Sequence, residues 1–160
     1  MNIDKHQFQR QVQNVGSDEE ATNLLRQVIE QHLQWGDDSD LAASIMEIPP
    51  VARRLYLVLY MDTGVCGDGF PDFFTEFPFP DLHAEIAHGL ALIGATDLQQ
   101  IFLSAISYLN NLGPLRAAEI TFFDMDKETE DIHGRYFEHN RQLSARIGRH
   151  TRDNASKIFH

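Results

Sequence analysis

Apolar residues recur along most of this chain at helical intervals, with polar residues filling the positions between them. Phe8, Val12 and Val15 stand four and then three apart and predict a short N-terminal helix. Ser17-Asp-Glu-Glu20 has the form of a capping box, a hydroxyl for the orphan amides and a glutamate three residues on. It opens an amphipathic helix whose stripe is Ala21, Leu24, Leu25, Val28, Ile29 and Leu33, with Gly36 as its stop. Asp37-Asp-Ser-Asp40 reads as a polar turn before a short helix lined by Leu41, Ile45 and Met46. Pro49-Pro50 suits a first helical turn, where the missing amide would have no partner anyway. Residues 51–61 are apolar nearly all round and predict a central helix, with strand the rival over 55–60, where tyrosine and valine stand.

Residues 62–80 break the pattern. Gly64, Gly67 and Gly69 lead into Phe70-Pro-Asp-Phe-Phe-Thr-Glu-Phe-Pro-Phe-Pro80, which predicts a loop with at most one helical turn. Five phenylalanines cannot all face water, so this loop is expected to lie on the core. Helical spacing resumes with Leu82, Ile86, Leu90 and Ile93, capped by Asp81 and ended by Gly94. Thr96 or Asp97 caps the next helix, carrying Leu98, Ile101, Phe102, Ala105, Ile106 and Leu109. After Gly113-Pro114 comes a short helix over 115–123, then one or two charged helices over 124–149 with Ile132, Tyr136, Leu143 and Ile147 inward. The expected fold is all-α, a compact helical bundle forming one domain over 1–160, with a Gly/Phe/Pro-rich loop packed on its core. Trp35 and the phenylalanine cluster are read mainly as core, any exposed part being a candidate dimer seam.

Composition narrows the function. Seven residues, Leu55 to Met61, form the longest apolar run, whereas a membrane-spanning helix needs about 20. The polar start has no secretory-signal pattern, and a single cysteine, Cys66, supports neither an internal disulfide framework nor a multi-cysteine zinc site. The cytoplasm is the expected compartment. Charge is more telling: 13 basic against 24 acidic residues give −11. Residues 140–160 hold five cations and one acid, so the excess of acids lies in the first 139. Between Arg54 and Arg116 there are seven acids and no lysine or arginine. Cations are what displace counterions from phosphate, so direct binding to nucleic acid or to an anionic membrane is not expected.

Three segments carry a resemblance. Gly67-Asp-Gly-Phe-Pro-Asp-Phe-Phe74 is similar to the Asn-Gly-Gly-Phe-x-Gln-Phe-Phe pattern of a bacterial DNA-mimic protein (DMP-like) family. Gly89-Leu-Ala-Leu-Ile-Gly-Ala95 resembles the helix end that follows it in that family, and the acidic run Asp124 to Asp131 looks like its third element. Gly69, Phe70, Phe73, Phe74, Ile93, Gly94 and Ala95 match one by one, across a resemblance covering roughly residues 50–150. Gly67, Asp68 and Asp72 depart from it, the last two by adding negative charge. The resemblance implies a helical, frequently dimeric fold. It also implies an acidic face that imitates duplex DNA and occupies the DNA-binding surface of a helix-turn-helix repressor, relieving repression.

The residues can be tested against that implication. Carboxylates four apart on a helix advance by about 6 Å, near the spacing of phosphates along one strand. Asp68, Asp72 and Glu76 have this interval, and Asp81 with Glu85 repeats it. Pro71 and Pro78 prevent the first series from being one straight helix. Asp124, Asp126, Glu128, Glu130 and Asp131 form a second dense group, interrupted only by Lys127. These ten residues are the candidate partner-binding set for a non-enzymatic protein without cofactor, its partner a basic DNA-binding protein such as a helix-turn-helix regulator, with a homodimer the expected assembly. Two other functions compete. One is a helical interaction or immunity-type module whose acidity is incidental. The other is a di-metal carboxylate enzyme built on Glu85-x-x-His88 and Glu130-x-x-His133, since i and i+3 share a helix face. The basic segment 141–157 bears on all of them, because docking over the acids would mask the face.

Overall fold

The computed structural model describes residues 3–113, 117, 119–121 and 124–160. Its elements are α1 (Lys5–Asn14), α2 (Asp18–Glu30), α3 (Asp38–Met46), α4 (Pro50–Glu76), α5 (Pro80–Leu92), α6 (Thr96–Leu112), α7 (Lys127–His139) and α8 (Leu143–Asp153), with a 3-10 turn, Asn140–Gln142, joining the last two. The fold is all-α. Among the described residues the only extended pairing is an isolated bridge between Thr121 and Asp124. The helix expected over 115–123 falls largely outside the described residues.

Local chemistry sets most boundaries. Ser17 accepts the Glu20 amide at 3.1 Å, and the Glu20 carboxylate reaches back to the Gly16 amide, so the capping box forms one residue wide of its usual closure. Asp4, Asp37 and Asp126 cap α1, α3 and α7 in the same way. Other expectations need correction. Helix α2 ends at Glu30, well before Gly36, and Leu33 is buried from the connection that follows. Met46 turns outward while Leu41 and Ile45 are buried. Asp81 does not cap α5; Phe79 holds that position, with Pro80 first in the helix and Asp81 second. Ala95 precedes α6, so neither Thr96 nor Asp97 caps it.

The larger correction concerns residues 62–76. They are helical, not loop, and extend α4 to Glu76 across a bend at Gly69, whose φ of 83° and ψ of 172° suit only glycine. Pro71 stands just beyond, in the first turn of the new limb, where its missing amide costs nothing. In a straight helix Tyr60 and Phe77 would lie about 25 Å apart; here their ring centroids are 4.9 Å apart. The second limb therefore folds back along the first. A Cβ at Gly64 would meet the Phe73 ring at 2.8 Å, so this glycine makes room for the returning limb. The aromatic run does what hydrophobicity requires: Phe70, Phe73 and Phe77 are buried, and Phe74 and Phe79 pack partly buried against the same core.

Two further glycines permit close helix contacts. At Gly89 a side chain would overlap the Arg54 carbonyl, and at Gly148 the Asp18 carbonyl. These contacts seat α5 on α4 and α8 on the start of α2, where the Thr22 hydroxyl also donates to the Ser144 carbonyl at 2.7 Å. The core they close includes Ile132, Tyr136, Leu143 and Ile147, as their spacing predicts. It extends to Phe8 and Phe159, whose rings meet edge to face at 4.7 Å. No helix among the described residues is long and apolar enough to cross a membrane.

Candidate functional site

Three of the ten candidate acids are drawn into the structure. Glu85 is held by both neighbouring guanidiniums, with Arg53 at 3.0 Å and Arg54 at 3.2 Å, in a setting only 14% exposed. Burial alone would raise its pKa, but the hydrogen bonds and charges of Arg54 and Arg53 outweigh that and hold it below the ordinary glutamate value. Its charge is spent inside the fold. Asp126 accepts the Thr129 amide at 2.9 Å and the Tyr108 hydroxyl at 2.6 Å, tying α7 to α6. Asp72 is half-buried.

The other seven are exposed: Asp68, Glu76, Asp81, Asp124, Glu128, Glu130 and Asp131. Asp131 pairs along its helix with Arg135 at 3.4 Å, both groups wet, which neutralises little. Asp68 and Glu76 lie on opposite sides of the Gly69 bend, so the four-residue interval does not run as a straight row. Helix α7 runs antiparallel to the first limb of α4. Tyr136 donates to Asp62 at 2.6 Å and also packs on Phe70 at 5.2 Å, while His133, nearer the start of α7, meets Phe70 at 6.4 Å. This direction carries Glu128, Glu130 and Asp131 toward the end of the molecule where α4 bends. Asp81, Glu128 and Glu130 also occupy first turns of helices, where the partial positive charge of the helix start steadies them.

The basic C-terminal segment docks elsewhere. Arg152 and Arg149 meet Asp18 at 3.0 and 3.5 Å, and Arg146 donates to the Gly94 carbonyl at 2.9 Å. None of these pairs involves a candidate acid.

The bend in α4 creates a feature the sequence pattern did not disclose. Between α2 and the two limbs of α4 lies a cleft of about 290 Å³. Tyr56, Tyr60, Phe73 and Phe77 form its floor, and Glu30, Asp68 and Glu76 stand among its walls, with Arg26 the one lining cation among the described residues. Trp35, expected in the core, lines the cleft instead and is 60% exposed. Its indole N–H points to the Glu30 carbonyl at 3.4 Å. Burial first, then the charges of Asp38 and Glu76, raise the Tyr60 pKa; burial and Glu30 do the same for Tyr56. Burial is the larger cause in both cases, and the nearby carboxylates add to it. Glu30, Asp38 and Trp35 were missed because they come from elements that meet α4 only through tertiary packing.

Cys66 lies on α4, beside Asp62 at 3.6 Å, and its thiol is pushed up to about 11, by burial first and then by the Asp62 charge. That environment disfavours the thiolate. Among the described residues no group of three or more His, Cys, Asp and Glu side chains could hold a metal ion. The two Glu-x-x-His pairs do not join: Glu85 answers to arginines, and His133 lies between the Phe70 and Phe137 rings.

Fold and surface together define an acidic, all-helical protein with an exposed carboxylate-bearing surface and its arginine-rich end turned to other contacts. The chain belongs to the DMP19-like protein family, which it matches over residues 46–154, and this is a DNA-mimic family. No curated protein and no solved structure matches the chain. The matched stretch includes both recognisable motifs, whose structural work is now visible. Gly69, Phe70, Phe73 and Phe74 make the bend and its packing. Ile93, Gly94 and Ala95 stop α5, through Gly94 at φ 68° and a bond from the Ala95 amide to the Leu90 carbonyl at 2.8 Å.

Proposed function

We propose that this protein is a non-enzymatic DNA mimic, acting in the cytoplasm by occupying the basic surface with which a DNA-binding protein, such as a helix-turn-helix regulator, would otherwise grip DNA. The observation that carries this reading is the layout of charge. Seven of the ten candidate acids stand exposed on the α4 bend, the start of α5 and the start of α7, while the arginines of α8 engage Asp18 and the end of α5. Membership of a DNA-mimic family supports it. Asp68, Glu76, Asp81, Asp124, Glu128, Glu130 and Asp131 supply the contacts, with Asp72 beside them. Asp126 and Glu85 hold the scaffold. A second copy of the chain would extend the acidic surface, as a duplex extends beyond one groove.

The test uses the immobilised protein to capture partners from lysate, followed by elution with duplex DNA. The reading expects basic DNA-binding proteins, released by DNA and by added salt, because contacts made through many exposed charges are screened. Partners that stay bound in both washes contradict it and favour an interaction module with incidental acidity.

A further inference from the structure

The cleft between α2 and the folded-back limbs of α4 is a built recess, and its chemistry selects one kind of occupant. Its floor is aromatic and its mouth is anionic: among the described residues, three carboxylates stand against the guanidinium of Arg26. A volume of about 290 Å³ sits at the lower limit for small-molecule sites and suits one long side chain better than a nucleotide, whose phosphates the rim would repel. Flat aromatic faces beside carboxylates favour a planar, delocalised cation, which stacks on rings and donates two parallel hydrogen bonds to a carboxylate; a lysine ammonium does neither as well.

We propose that this cleft receives an arginine side chain from a basic partner segment, its guanidinium lying against Trp35 and Tyr60 and meeting Glu30 and Glu76. The proposal takes the source of that arginine from the function proposed above and adds to it a specific anchoring point. The exposed acids give long-range attraction and breadth. The cleft gives register, because only a side chain of the right length and shape reaches its floor. Exposed Trp35 fits this role: a large ring left in water next to an apolar recess contributes most once an occupant covers it. Arg26 acts as a competitor at the mouth, so its removal should improve binding.

Trp35 is the only tryptophan of the chain, so its fluorescence reports on this cleft alone. The probe is a short peptide, capped at both ends and carrying two arginines, compared with counterparts bearing citrulline or lysine at the same positions. The expected result is a saturable change in Trp35 emission with the arginine peptide, affinity roughly tenfold lower for citrulline and several-fold lower for lysine. Glu30→Gln combined with Glu76→Gln should weaken the arginine peptide about tenfold, and Arg26→Gln should strengthen it. Circular dichroism confirms that the variants are folded; since Glu76 and Arg26 are exposed, Glu76→Gln and Arg26→Gln also serve as single variants. No saturable change, equal binding of citrulline, or indifference to the carboxylate substitutions overturns the proposal. The two readings separate cleanly. If captured partners are still displaced by DNA but bind a Glu30→Gln protein, altered in the cleft and in none of the mimic's contact acids, with unchanged affinity, the cleft assignment fails and the mimic stands. If the peptide fills the cleft while DNA displaces no partner, the mimic fails.

Discussion

Gly69 shows how much one residue can decide. Its backbone, φ 83° and ψ 172°, is closed to residues with a Cβ, and the return of the second limb depends on it. Gly69→Ala should therefore lower stability by about 1–3 kcal/mol and uncover the aromatic floor of the cleft, measured as a lower urea midpoint together with altered Trp35 emission. A variant as stable as the parent contradicts the assigned strain. Cys66 gives a second expectation at this scale. The residue is exposed, yet its thiol is raised to about 11. Alkylation near neutral pH should be much slower than for an unperturbed cysteine, and replacing Asp62 with asparagine should speed it up.

Among the helices, the anchors of α5 and α7 are acids that the sequence pattern grouped with the binding face. Asp126 caps α7 and holds Tyr108, so Asp126→Ala should cost about 1–2 kcal/mol, read from thermal or urea unfolding. Glu85→Gln leaves two partly buried guanidiniums poorly matched and should cost about 1.5–3 kcal/mol. Asp81→Asn and Glu128→Gln should change stability far less. What could be read at this scale followed from periodicity and capping: the amphipathic stripes of α2, α6, α7 and α8, the box at Ser17, the proline start at Pro50. What could not be read shared one cause. Gly64, Gly67 and Gly69 carry strong local loop preference, and the packing of Phe73 and Phe77 on the first limb of α4, with Phe70 against α6 and α7, overrides it. Asp81 and Thr96 looked like caps for a similar reason, since a polar residue before an apolar stripe does not fix which residue leaves the helix first.

For the molecule as a whole, charge was legible in amount but not in placement. The run of sequence between Arg54 and Arg116 announced an acidic surface, yet Arg53 and Arg54 reach across from α4 and neutralise Glu85, an exchange 31 and 32 residues long. Nor could the sequence place the arginines of α8, which come to Asp18 from the far end of the chain. Stability should respond to acid in a definite order. Burial lowers the pKa of His83, His133 and His150 below the ordinary histidine value of 6.5. The unfolded chain then binds protons more readily, so stability is full above that value and is lost as pH falls through the folded-state values. Glu85, also lowered, adds a further loss below the ordinary glutamate value of 4.5. Urea midpoints should thus decline on going from about pH 7.5 to about pH 5 and more steeply below it; a level profile contradicts the burial of these histidines.

Competition with DNA is the behaviour on which the functional account turns, and it can be measured once a captured DNA-binding partner has been purified. The apparent Kd of that partner for duplex DNA is determined at increasing concentrations of this protein. Occupation of the same basic surface predicts an apparent Kd that rises in proportion to the added protein without levelling off, and no complex containing all three components. A plateau, or a stable complex of partner, DNA and this protein together, would contradict the account.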